Sequence, residues 1–90
     1  LIELTVQGGS RRRVDETADQ LAAHLRRAAR GRRISFLGPA PHRINRLRRT
    51  YRSCLILKGR AVEPMVDLLR AALPGRKFRG LPVLINVDPQ

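Results

Sequence analysis

RINRLRRTYR, residues 43–52, places five arginines in ten positions, with Ile44, Leu47 and Tyr51 as the sizeable apolar groups among them. Each guanidinium presents a planar fork of N–H donors that suits a phosphate oxygen pair, so such a run is chemically suited to holding a polyanion. Arg11, Arg12 and Arg13 form a second basic run, and Arg76, Lys77 and Arg79 a third. Residues 11–13 also open a predicted helix, where cations face the positive end of the helix dipole and lose about 0.3–1 kcal/mol each. The backbone N–H groups at that end are unpaired, so a phosphate there would be held by amides and guanidinium forks together. Asp15, Glu16 and Asp19 offer the opposing reading, in which they neutralise the turn.

Groups for other chemistry are scarce. Lys58 and Lys77 lie outside any GxxxxGK[ST] loop, so a nucleotide-hydrolysing cradle is not expected. One cysteine and two histidines make neither an internal disulfide nor a metal-ligand cluster, and a reducing compartment is expected. His24 and His42 read as surface histidines, and Cys54 as a thiol packed on a strand. Tyr51, between Arg49 and Arg52, is either a stacking platform or a core side chain. VQGGSRR, residues 6–12, resembles the strand-to-helix phosphate cradle of acylphosphatases, whose catalytic arginine falls at Arg12. That resemblance covers one loop, departs from the family pattern at residues 9–11 and finds no partner for the family's catalytic Asn.

Nineteen basic against seven acidic residues give +12 on 90 residues, and seventeen of the basic residues are Arg. A small domain holding that charge repels itself unless a polyanion is its neighbour, nucleic acid first and anionic lipid second. A GC-rich coding sequence would explain the arginine bias equally well. A chain of this length buries about 60–65% of its unfolded surface, too little to enclose a large active site. Only three residues are aromatic, so contact through phosphates is expected to outweigh base reading. No apolar run reaches the roughly 18 residues of a membrane span, and a cytosolic protein is expected. The strand-like opening LIELTVQ suggests a piece of a longer protein.

The elements that must position these residues follow from periodicity. Ile2, Leu4 and Val6 alternate with polar residues, predicting a strand. Ser10 is a plausible N-cap, and Val14, Ala18, Leu21, Leu25 and Ala28 recur at helical spacing before Gly31. RRISFLG predicts a second strand, stopped by GPAP at residues 38–41. YRSCLILKG, residues 51–59, predicts a third. Val62, Val66, Leu69 and Leu73 predict a second helix with Pro64 in its first turn and PG at 74–75 as its end. LPVLINVDP predicts a final strand with Leu81, Val83, Ile85 and Val87 on one face.

The order βαββαβ suits a ferredoxin-like α+β split βαβ, with four antiparallel strands ordered 4-1-3-2 and two helices on one face. In that topology the connections 8–13, 38–50 and 74–80 meet at one end and bring ten of the nineteen basic residues together.

FLGPAP, RLRRTYRSCLILKG and the terminal VDPQ, taken together in order and spacing, resemble the C-terminal domain family of the primosomal replication-restart helicase PriA. The resemblance extends over essentially all 90 residues; Asn86 replaces the first acid of the family's usual DVDP. It implies a ribosomal-S10-like, ferredoxin-type domain, residues 1–90, at the end of a bacterial helicase. Its expected role is a non-catalytic grip on branched or single-stranded DNA at stalled forks, in the cytoplasm at the nucleoid. The implied parent protein uses ATP and Mg, binds Zn through cysteines of other domains, and works with single-stranded DNA-binding protein and primosome proteins. The domain itself is expected to be a monomer, with no cofactor and no membrane contact. The residues expected to meet DNA are Arg43, Arg46, Arg48, Arg49, Tyr51 and Arg52, with Arg11, Arg12, Arg13, Arg76, Lys77 and Arg79. The alternative is an S10-like RNA-binding or assembly protein.

Overall fold

A computed structural model describes residues 1–41 and 50–87. Strand β1 (Ile2–Gly8) leads into helix α1 (Arg11–Ala28), β2 (Ile34–Pro41) and β3 (Tyr51–Gly59). Helix α2 (Val62–Ala72), a single 3-10 turn (Pro74–Arg76) and the hairpin β4 (Lys77–Phe78) and β5 (Leu81–Val87) complete the chain. The strands form one antiparallel sheet in the order β2-β3-β1-β5-β4. This is the expected 4-1-3-2 arrangement, with β5 as the final strand and β4 added at its outer edge.

Alternation along the strands decides which face is covered. Ile2, Leu4 and Val6 of β1, Ser53, Leu55 and Leu57 of β3, and Leu81 and Val83 of β5 are buried beneath the helices. On α1, Val14, Ala18, Leu21, Ala22 and Leu25 make the apolar stripe. The stripe closes on buried Ala29 instead of the expected Ala28, because Ala29 lies one helical step of four from Leu25, whose carbonyl still accepts its N–H. Met65, Leu68 and Leu69 of α2 complete the core with Leu73. The expected face of the last strand frays outward. Ile85 is half-buried and Val87 is exposed, beyond the cover of the helices.

Two capping details hold the helices in place. Ser10 Oγ accepts the Arg13 N–H at 3.3 Å, the N-cap that its sequence position predicts. Pro64 is the third residue of α2, where its missing N–H has no intrahelical partner to lose.

The expected stop at GPAP is not where β2 ends. The strand runs through Pro39 to Pro41 by way of a register shift between Leu37 and Ala40. Proline is tolerated because β2 is an edge strand and the shift is a bulge, where no ladder N–H is required. Gly38 makes the bulge possible. Its φ is +93°, and a Cβ there would lie 2.8 Å from the Cys54 carbonyl oxygen.

Strand register then fixes the geometry that matters for function. Gly8 pairs with Tyr51, Pro41 with Ser53, and Val6 with Val83. The end of β1, the end of β2, the start of β3 and the start of β5 therefore share one end of the sheet.

Candidate nucleic-acid interface

That end begins with α1. Arg11, Arg12 and Arg13 occupy its first turn, which contains no acidic residue, and all three are exposed. Fixing cations beside unpaired N–H groups is locally unfavourable, so their contacts are informative. The Arg11 guanidinium carbon lies 5.6 Å from the centroid of the Tyr51 ring. Tyr51, at the first position of β3, is exposed, which decides against the core reading of that ring. Arg12 Nε donates to Glu16 Oε1 at 3.0 Å, one helical turn on. Both partners of that pair are well exposed, so it contributes at most about 1 kcal/mol. It is the one ion pair among the described residues. Arg13 Nη2 donates to the Arg79 carbonyl oxygen at 3.1 Å, tying α1 to the β4–β5 turn.

The turn itself is a two-residue hairpin loop between the paired residues Phe78 and Leu81. Arg79 has φ 52° and Gly80 φ 83°, positive at both positions, as a type I′ turn requires. Asn or Gly is the usual first residue of such a turn, and an arginine there costs about 1–2 kcal/mol of backbone strain. Gly80, with Arg13 Nη2 3.1 Å from where a Cβ would stand, lies directly beneath that guanidinium.

Arg11, Arg12, Arg13, Tyr51 and Arg79 thus occupy one rim, drawn from three separate parts of the sequence. Arg52 stands beside them on the opposite face of the sheet from Tyr51, level with Gln7. Lys77 is exposed on β4, paired with Pro82. Arg76 departs from the expected cluster. It ends the 3-10 turn with φ 54° and lines a groove of about 320 Å³ between α2 and β5, with Val66, Leu69, Arg70 and Ile85. Arg43, Arg46, Arg48 and Arg49 lie outside the described residues, as does His42. The described residues that flank them, Pro41 and Thr50, adjoin the same rim.

Beside this rim the structure corrects the reading of His24 and adds Arg27, which the sequence did not single out. His24 is half-buried, not a free surface histidine. Its Nε2 lies 3.3 Å from the Ala72 carbonyl oxygen and its ring 5.5 Å from that of Phe78. Arg27 faces the same space. The available signal was an Arg-Gly pair filling a two-residue turn after Phe78; nothing in the sequence linked it to residue 24. Cys54 is half-buried on β3, 3.5 Å from Thr5 Oγ1.

Among the described residues no group of three or more His, Cys, Asp or Glu could hold a metal ion. No helix among them is long and apolar enough to cross a membrane. The arrangement offers cations, two ring faces and unpaired amides, the chemistry of anion binding.

The family profile described as the primosomal protein N C-terminal domain matches residues 1–90. The chain belongs to this family. No curated protein matches it. Membership places the fold in the PriA replication-restart context, and the βαββαβ arrangement agrees with the likeness read from FLGPAP, RLRRTYRSCLILKG and VDPQ. The acylphosphatase-like loop gains no such support, and Arg12 of that loop is engaged by Glu16.

Proposed function

We propose that this domain is a non-catalytic DNA-binding accessory of a bacterial replication-restart helicase, acting in the cytoplasm as the C-terminal part of a longer protein. It grips phosphates of branched or single-stranded DNA along the rim formed by Arg11, Arg12, Arg13, Tyr51, Arg52 and Arg79, with Lys77 beside it. Arg43, Arg46, Arg48 and Arg49 extend the grip from the connection that starts and ends at that rim, and Arg76 contributes from the flank. Tyr51, already covered by one guanidinium, provides a surface on which a base can stack near a strand junction.

The observation that carries this reading is the convergence of Arg11–Arg13, Tyr51 and Arg79 at one end of the sheet, in a helix turn and a hairpin turn that both lose stability by holding arginine. Such a rim attracts any polyanion; family membership favours DNA over the RNA of an S10-like protein. In the parent protein the domain would act beside an ATP-driven motor, with single-stranded DNA-binding protein and primosome loaders as partners.

The test is the salt dependence of binding to a single-stranded oligonucleotide. Neutralising about eight phosphates gives a slope of log affinity against log salt near −5.6, and replacing Arg46, Arg48 and Arg49 together flattens it by about two units. A slope that stays put after that replacement removes the 42–49 connection from the interface. Stronger competition by RNA than by forked DNA favours the S10-like alternative.

A further inference from the structure

The β4–β5 hairpin also borders a cleft that the phosphate grip leaves unused. Between the flank of α1 and β4 lies a recess of about 440 Å³, lined by Gln20, Ala23, His24, Arg27, Phe78 and Arg79. That volume falls in the range of small-ligand sites, roughly 300–1,000 Å³. One wall is built of planar groups. The His24 and Phe78 rings lie 5.5 Å apart at 32°, and the Arg79 guanidinium carbon lies 5.8 Å from the Phe78 centroid. The ring of His24 is oriented by the backbone: the Ala72 carbonyl oxygen, 3.3 Å from Nε2, can only accept, so Nε2–H is the donor. Arg27 and Arg79 supply two positive charges, and no carboxylate lines the space. Through the Arg13–Arg79 hydrogen bond the cleft is continuous with the rim.

We propose that this cleft seats one unpaired base of a single strand whose backbone runs along the rim. The inference rests on the nucleic-acid reading above and adds a site to it. The base packs against the planar wall of Arg79, Phe78 and His24, while Arg79 and Arg27 hold its flanking phosphates. A phosphate alone has no use for a planar apolar wall, and a paired base inside a duplex has no free face to offer one; an unstacked base with its phosphates matches both halves of the lining. The backbone of Arg79 points the same way. Asn or Gly would build the same turn without strain, so the arginine side chain is kept at a cost in stability that contact with a ligand explains.

Binding of the chain to a fifteen-nucleotide oligothymidylate, compared with a strand of the same length made of abasic sugars, tests the proposal. The two strands carry equal numbers of phosphates and differ in their bases. The wild-type chain should prefer the strand with bases by at least about fivefold. Arg79→Asn, which suits the turn and should not lower the thermal midpoint, should lower that ratio severalfold, the remaining preference coming from Tyr51. Arg27→Gln should weaken binding to both strands and flatten the salt slope by about 0.7. Equal wild-type affinity for the two strands, or an Arg79→Asn ratio that does not change, overturns the cleft and leaves the rim intact. Absence of salt-dependent wild-type binding to either strand overturns both.

Discussion

Helix α1 carries arginines at its two ends, in opposite electrostatic circumstances. Arg26 and Arg27 occupy the last turn, where the carbonyl end of the dipole favours cations. Arg26 has further structural work, donating to the Gly38 carbonyl oxygen at 3.2 Å and covering the Phe36 ring at 5.7 Å. Arg11, Arg12 and Arg13 sit at the other end, where the dipole opposes them, and their contacts reach Tyr51, Glu16 and the Arg79 backbone. Residue type alone therefore does not distinguish an arginine that supports the fold from one that the fold tolerates. Position on the helix together with the contacts made does, as Arg11–Arg13 and Arg26 illustrate. Stability does not account for the first-turn arginines, whereas Arg26 is accounted for by the fold.

The sharpest way to break this contrast is to replace Arg11, Arg12 and Arg13 together by Gln. Affinity for single-stranded DNA should fall by about a hundredfold at 0.1 M salt, with the slope against log salt flattened by about two units. Denaturant unfolding of the same variant at low ionic strength should show it about 0.5–2 kcal/mol more stable than the parent chain. A variant that loses stability along with affinity erases the difference between the two ends.

On the other side of the contrast, Gly38→Ala attacks the backbone that Arg26 holds. The added Cβ would meet the Cys54 carbonyl oxygen, and φ +93° is unfavourable for any side chain. A loss of about 1–3 kcal/mol is expected by denaturant unfolding, while the salt slope of DNA binding stays unchanged. Ser10→Ala removes the side-chain cap of α1 and should cost about 1 kcal/mol. Arg26→Gln should have the smallest effect, about 0.5–1 kcal/mol of stability lost, with DNA affinity lowered far less than by the first-turn replacement.

Much of the fold was legible because short-range rules wrote it. Strand β3 was bounded at Tyr51 and Gly59 by its opening aromatic, its apolar run from Cys54 to Leu57 and its closing glycine, and the Ser10 cap and the stripe from Val14 to Leu25 gave α1. The misreading at GPAP has a clear cause. Proline breaks a central ladder, but whether a strand is central or at the edge depends on which strands pair, and that lies beyond local sequence. The same holds for β4, two residues whose strand character comes from lying beside Leu81 and Pro82. At the site, the basic runs were visible in the chain and their meeting at one end depended on the order of the strands. Arg76 was grouped with Arg79 by sequence proximity; a positive φ at each end of β4 separates them, sending Arg76 to the α2–β5 groove. His24 was read as a surface histidine because its partners, Ala72 and Phe78, are some fifty residues away.

The chain by itself determined its charge, its helix and strand segments and the three basic runs, since each follows from composition or from spacing within one element. Tertiary structure alone decided that Arg11 covers Tyr51, that Arg13 reaches the backbone of a strained Arg79, and that His24 and Phe78 wall a cleft beside them. Those pairings join residues 40 to 66 positions apart, and only strand register and helix packing bring such distant groups within a few ångströms.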